Sequence, residues 1–364
     1  MTRSVARGRV FCVLAAVSLM LSACGAQSLF RLPGTTTPPV SSSSFVSVCG
    51  MQLCLNGRAW RIHGATAYGM YDNPQAEVAL AKAAGVNTIE IVEFETQYHS
   101  LADTTSEATW TRVDNLVAAA KQSGLHVLLN LSSYGQSLMA AGYKPTTTDW
   151  GPYLQFVVDR INTRTGVRYG DDPTIAKIEL YGEIDAPNYD VPLRGTTAET
   201  TAFFSRTLRE LKSLDTRHVI STGGFSYIND PGSGINWQSI VSDPNNATCD
   251  VEINSFGDRN VSVPNLSSYC AHLGKPWFLA AWSSCYNDNK WGSDDIDNWP
   301  TDAQMSAHAV DMYRVEHATV LQPPGPAVAA IGSDFWNLGP AANLGTCDIG
   351  QQFPQTFGAV ETGN

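Results

Sequence analysis

The chain has 364 residues, 43% of them hydrophobic and 16% charged, with a formal net charge of −11, eight cysteines and nine tryptophans. That apolar fraction belongs to a folded globular protein, and the acidic balance argues against a nucleic-acid binder, which needs a basic face to displace counterions from phosphates. Length leaves one or two domains open, because the soft rule of roughly 150 residues per domain is regularly exceeded by α/β barrels.

The N-terminus reads as an export signal. Arg3, Arg7 and Arg9 precede an apolar run from Val10 to Leu21 that is too short to span a bilayer. It ends in Leu21-Ser22-Ala23-Cys24-Gly25, which resembles a bacterial lipobox, with Cys24 as the acylated first residue of the mature chain. An ordinary signal peptide cleaved nearby is the alternative. Residues 1–24 hold three arginines and no acids. Without them 20 basic residues face 34 acidic ones, a net charge of −14, so any membrane attachment rests on the lipid alone. Residues 25–44, rich in Ser, Thr and Pro, read as a tether, and one domain is expected over 45–364. The localisation expected is extracytoplasmic, either lipid-anchored or secreted.

Six cysteines remain: Cys49, Cys54, Cys249, Cys270, Cys285 and Cys347. An even count in an exported chain favours three disulfides. Cys49–Cys54 would staple a short hairpin. Cys249–Cys270 and Cys285–Cys347 are the other expected pairs, although spacing alone does not fix the connectivity. With no Cys-x-x-Cys pair and no clustered histidines, no metal site is expected, and no cofactor motif is present.

After the hairpin, strand-like runs recur at Trp60–Thr66, Val86–Phe94, His126–Leu131, Ile175–Glu183, His218–Thr222, Asp250–Phe256, Pro276–Trp282 and Ala327–Trp336. Helical spacing occupies Ala76–Ala84, Trp110–Gln122, Tyr153–Arg164, Glu199–Leu214 and Ala303–His317, with a weak candidate at Trp237–Ser242 and a closing segment at Gln351–Val360. Eight strand–helix units predict an α/β fold, a single-domain (β/α)8 TIM barrel. An open doubly wound sheet is disfavoured, because Gly64-Ala65-Thr66-Ala67-Tyr68-Gly69 is not a dinucleotide fingerprint. In a barrel, chemistry sits at the C-terminal strand ends. Those ends carry Glu93, Glu95, Tyr134, Glu183, Asp185, Asn254, Asp258, Trp282, Asp334 and Trp336. Carboxylates and aromatic faces around one rim suit a carbohydrate site. Taken singly, most of the tryptophans are better read as packing.

The segment from Phe156 through Arg160, Asn162 and Gly166 to Asp172-Pro173-Thr174-Ile175 and Glu179-Leu180-Tyr181-Gly182-Glu183 resembles a signature of the endo-β-mannanases and cellulase-like enzymes of glycoside hydrolase family 5. Leu55-Asn56-Gly57-Arg58, His63-Gly64, Tyr134-Gly135, Lys275-Pro276 and Phe335-Trp336 fit further landmarks. The resemblance implies a TIM barrel acting on a β-linked polysaccharide, with Glu183 as general acid/base and Trp336 as a sugar platform. Asn254, Trp282 and Tyr134 stand at other expected substrate-binding positions.

The chain departs from the pattern where the second carboxylate belongs. The seventh-strand segment reads Lys275-Pro276-Trp277-Phe278-Leu279-Ala280-Ala281-Trp282-Ser283, which puts Ala281 at the nucleophile position. Gly182 replaces an asparagine, Asn254-Ser255-Phe256 replaces a His-x-Tyr, and Glu90 stands where an arginine normally faces the nucleophile. Losing the arginine together with its anionic partner is electrostatically consistent.

Two functions follow. One is a glycosidase in which Glu90, with Glu93 and Asp258 behind it, supplies the second carboxylate, inverting if it stands about 6.5–9.5 Å from Glu183. The other is an inactive carbohydrate-binding lipoprotein. For Glu90 a barrel-interior acid paired with a neighbouring polar group is an equal reading. The partner expected is a poly- or oligosaccharide, and the chain is expected to be a monomer.

Overall fold

The N-terminal hairpin begins from local chemistry. In the computed structural model, β1 (Ser47–Cys49) and β2 (Gln52–Leu55) are antiparallel and stapled by Cys49–Cys54. β2 turns into β3 (Arg58–Trp60) through Asn56 and Gly57, both at positive φ (54° and 73°), the Asn-Gly pair that a type I′ turn requires. Residues 44–66, 72–92, 101–185, 191–228, 233–253, 256–285, 300–317, 329–339 and 347–363 are described, except for the side chains of 191–192 and 256–259.

Eight parallel strands follow: β4 (Ile62–Thr66), β5 (Thr88–Ile91), β6 (His126–Asn130), β7 (Ile175–Glu179), β8 (Val219–Ser221), β9 (Cys249–Ile253), β10 (Trp277–Ser283) and β11 (Gly332–Trp336). Strands adjacent in sequence pair with one another, except β8 with β9, and β11 returns to β4. The seam between β8 and β9 is bridged through Phe225, whose N–H reaches the Asp250 carbonyl (3.3 Å) and whose carbonyl accepts from Glu252 N–H (3.0 Å). The expected TIM barrel is the observed fold. Ile62, Leu128, Ala176, Val219, Phe278 and Ile331 form one apolar cluster with Val46 and Leu53, so the hairpin packs against the N-terminal ends of the strands.

The connecting helices include α1 (Pro74–Ala83), α2 (Glu107–Ser123), α3 (Ser132–Ala140), α4 (Gly151–Asp159), α5 (Val191–Arg194), α6 (Thr197–Leu214), α7 (Trp237–Val241), α8 (Phe256–Leu273), α9 (Asp302–His317) and α10 (Pro354–Thr362). Three were not expected: α3, the single-turn α5, and α8, whose internal Pro264 and small polar residues hide its helical pattern. The helix expected over Tyr153–Arg164 ends earlier, at Asp159. Arg160 leaves the helix (φ −56°, ψ 129°), and its guanidinium binds Asp114 at 2.9 and 2.8 Å and Glu107 at 3.0 and 3.0 Å, both two-pronged. Asn162 then caps the turn, accepting from the N–H groups of Arg164 and Thr165. The remaining disulfides are Cys249–Cys270 and Cys285–Cys347. Among the described residues, no helix is long and apolar enough to cross a membrane.

Candidate active site

Backbone pairing at the C-terminal end of β7 fixes Glu183. The N–H groups of Leu180, Tyr181 and Glu183 donate to the carbonyls of Ser221 (3.0 Å), Thr222 (2.7 Å) and Gly224 (2.8 Å), so the loop after β7 continues alongside the loop after β8. Gly182 N–H donates to Ser132 Oγ at 3.0 Å. Glu183 is held at φ +53°, a left-handed conformation that costs a non-glycine residue about 1–2 kcal/mol and persists where surrounding bonds over-determine it. Its carboxylate is half-buried at the barrel mouth.

Asp185 secures the facing loop by accepting from the N–H groups of Ser226 (3.2 Å) and Tyr227 (2.7 Å). Burial pushes its carboxyl up to about 7, against those two N–H bonds. The Ser226 hydroxyl thereby stands between two carboxyl groups, 3.0 Å from Oε2 of Glu252 and 3.4 Å from Oε1 of Glu183. Glu252, on β9, is 6% exposed and lies close enough to Glu183 to feel its charge. Burial first, and then the Glu183 charge, lift its carboxyl well above the usual carboxylate range.

The second carboxyl group at this site was not anticipated. Its signal was present in the alternation Asp250-Val251-Glu252-Ile253, since a period of two sends the two acids to one face and the two apolar residues to the other. Lys177-Ile178-Glu179 carries the same signal on β7.

Of the two readings of Glu90, its hydrogen bonds accord with the barrel-interior one. Its carboxylate, 5% exposed, takes hydrogen bonds inside the barrel, with Thr66 Oγ1 2.6 Å from Oε2 and Asn130 Nδ2 donating to Oε1 at 3.0 Å. Thr66 Oγ1 is also 2.6 Å from Oδ2 of Asp334. One hydroxyl has one proton to give, so one of these two acids must carry its own. Burial raises both carboxyls accordingly. Glu90 is thus a barrel-interior acid paired with polar neighbours, and Glu252 is the acid that meets Glu183. Below them Lys177 donates to Glu179 and Asp250, each at 2.7 Å, and lies 4.1 Å from the Phe278 ring centroid. Burial lifts Glu179 to about 7 despite Lys177.

Trp336 is half-exposed at the end of β11, as a platform requires. Trp282 was expected at the rim; instead it is 1% exposed and packs edge-on against Tyr313 of α9 (5.0 Å) and Phe335 (5.1 Å), on the side facing the helices. The structure does not bring it to Glu183. Tyr134 is half-buried on α3, stacked on Tyr153 at 4.0 Å and edge-on to Trp150. Its observed ring contacts are therefore with the α4 region. Asn254, Glu93, Glu95, Cys24 and the Asp258 side chain lie outside the described residues. Among the described residues, no group of three His, Cys, Asp or Glu side chains is placed to hold a metal ion.

No family model matches the chain. It is 25% identical over 296 residues to mannan endo-1,4-β-mannosidase F of Aspergillus fumigatus, covering 72% of this chain and 62% of that protein. It is 24% identical over 348 residues to a probable mannan endo-1,4-β-mannosidase F of Neosartorya fischeri, covering 84% and 71%. The chain therefore spans about three-fifths of the length of the Aspergillus relative. Among solved structures, the endo-1,4-β-mannanase of Rhizomucor miehei superposes with a TM-score of 0.68 at 18% identity, covering 88% of this chain and 99% of that one. The endo-β-1,4-mannanase of Thermotoga petrophila gives 0.60 at 16% identity, covering 85% and 77%. The chain is thus a relative of the mannan endo-1,4-β-mannosidases and shares the barrel of the family 5 mannanases.

Proposed function

We propose that this chain is an exported glycoside hydrolase that cleaves internal β-linkages of a mannan- or glucan-type polysaccharide, with Glu183 as general acid/base. The observation that carries this reading is the meeting of Glu183 with a second carboxyl group at the C-terminal mouth of the barrel, where such enzymes do their chemistry. Similarity to mannan endo-1,4-β-mannosidases supports the substrate class. Half-exposed Trp336 offers an aromatic face to a pyranose ring. The export signal over residues 1–24, with acylation at Cys24 and a tether over 25–44, belongs to the same proposal, and three disulfides are compatible with an oxidising compartment.

A second reading, binding without turnover, is favoured by Ala281 at the family's nucleophile position and by the deep burial of Glu252. The deciding experiment incubates purified protein with β-1,4-mannan, glucan and xylan oligosaccharides and measures new reducing ends. Release by the wild type that Glu183→Gln lowers by about 10²–10⁴-fold, the usual worth of a general acid, supports hydrolysis. Saccharide binding with no release by the wild type establishes the second reading.

A further inference from the structure

Resting on the hydrolase reading, we infer that Glu252 is the nucleophile of this site, performing from β9 the role that the resemblance places at Ala281 on β10. The two positions are register partners on adjacent strands, so the substitution moves the carboxylate sideways by one strand and leaves it at the same height. Ala281 is also the one partly exposed residue of β10, which leaves the floor of the mouth open beside Glu252.

The surroundings are cut to this side chain. A Cβ at Gly182 would lie 3.1 Å from Oε1 of Glu252, and one at Gly224 would run into its Cγ. An asparagine at 182, which the resemblance leads one to expect, would crowd the Glu252 carboxyl and the Gly224 backbone. The glycine at 182 and the acid at 252 therefore fit one another.

A hydroxyl touching both acids at 3.0 and 3.4 Å keeps their facing oxygens closer than the roughly 6.5–9.5 Å that an inverting pair needs for its water, and leaves room for the roughly 5–5.5 Å of a retaining pair. The proposed reaction is therefore a retaining one. The Ser226 hydroxyl, which touches both acids, relays the proton by taking one from Glu252 as it gives its own to Glu183. The Glu252 carboxylate attacks the anomeric carbon, a bond from that carbon to the Glu252 oxygen forms, and the glycosidic carbon–oxygen bond breaks. The departing oxygen takes the proton of Glu183. Water then gives a proton to Glu183 and its oxygen to the anomeric carbon, releasing Glu252.

The test uses the purified full chain with an aryl β-mannoside bearing a good leaving group. Glu252→Gln should lower kcat/KM by roughly 10³-fold or more, the scale seen when one member of a catalytic set is removed. Glu252→Ala with added azide should regain turnover and yield the α-glycosyl azide, which also shows that the variant is folded. A 2-deoxy-2-fluoro mannoside inactivator should label the peptide carrying Glu252. Wild-type turnover with Glu252→Gln within tenfold of it, or label on Glu90 or Glu183, overturns the assignment while leaving the hydrolase reading intact. A wild type inactive on every substrate overturns the hydrolase reading and the assignment with it.

Discussion

The Arg160 cluster outside the barrel and the acid cluster inside it each bury several ionisable side chains, and they differ in how charge is balanced. Around Arg160 one guanidinium reaches both of the carboxylates beside it. Asp114 receives two bonds from the guanidinium, others from Tyr169 (2.8 Å) and from the Thr163 N–H and hydroxyl, and Glu107 closes the set at the surface. Burial pushes Asp114 up, but these bonds outweigh it and hold its carboxyl below the usual range. Inside the barrel Glu90, Glu179, Asp250, Glu252 and Asp334 are buried, and Lys177 contacts only two of them. There burial prevails, and the carboxyls of Glu90, Glu179, Glu252 and Asp334 rise. Where a guanidinium grips its acids two-pronged, hydrogen bonding outweighs burial; where one ammonium serves a larger group of buried acids, burial prevails.

The two clusters should therefore respond oppositely to pH. Asp114, with a lowered folded value, contributes stability above its unfolded value of 3.8 that is lost as pH falls through the lower folded one. Glu179, with a raised value, contributes stability below its unfolded value of 4.5 that is lost as pH rises through about 7. Lys177→Met tests the inner cluster most severely. Removing the cation that bridges Glu179 and Asp250 leaves them only neutral donors, Asn130 Nδ2 at 3.3 Å and the Thr248 hydroxyl at 2.7 Å, and costs about 3–5 kcal/mol. That loss is expected at pH 8 and should shrink at pH 5, where Glu179 carries its own proton; denaturant unfolding at both values measures it. Equal losses at both values would mean that Glu179 is not protonated by burial.

Glu77 isolates burial from charge pairing. It is fully buried on α1, both carboxyl oxygens lack a hydrogen-bond partner, and desolvation alone lifts it to about 8. Its folded value is raised, so its penalty grows as pH rises from 4.5 towards 8. Glu77→Met should then stabilise the chain by about 2–4 kcal/mol at pH 8 and by less at pH 5, each pKa unit being worth about 1.4 kcal/mol. Thermal melts at the two pH values decide it. On the paired side, Arg160→Lys should cost about 1–3 kcal/mol, because an ammonium cannot serve two carboxylates with two prongs each. That cost should stay constant from pH 5 to 8 and fade only as Asp114 protonates in strong acid.

The contrast between the clusters also explains what the sequence revealed. The strand–helix rhythm and the stretch from Arg160 to Glu183 were readable because hydrophobic period and local pairing are written along the chain. Helix α8 was not, since Pro264 and its polar neighbours blur the period. Glu252 was passed over because the resemblance directs attention to β10, whereas the carboxylate had moved to a neighbouring strand 29 residues earlier in the chain, a relation visible only once Ala281 and Glu252 are in register. The protonation of the inner acids depends on a count of cations in three dimensions, which no run of residues records.

Trp282 illustrates the same limit with the mildest consequence. At the end of an apolar strand it reads as a rim residue, yet the register shift between Leu279 and Ala281 accompanies a ring buried on the helix side, against Tyr313 and Phe335. Its indole Nε1 is buried without a hydrogen-bond partner. Trp282→Phe removes that unsatisfied donor and leaves a small void, two effects of about 1 kcal/mol each and of opposite sign. The expected outcome is a change in stability within about 1 kcal/mol, with kcat/KM and saccharide affinity unaltered. Trp336→Ala should instead weaken saccharide binding measured by calorimetry, because that residue is half-exposed at the mouth. Equal losses of affinity in the two variants would place Trp282 at the groove after all. They would also mean that the divide between buried packing and the open mouth runs elsewhere than between these two tryptophans.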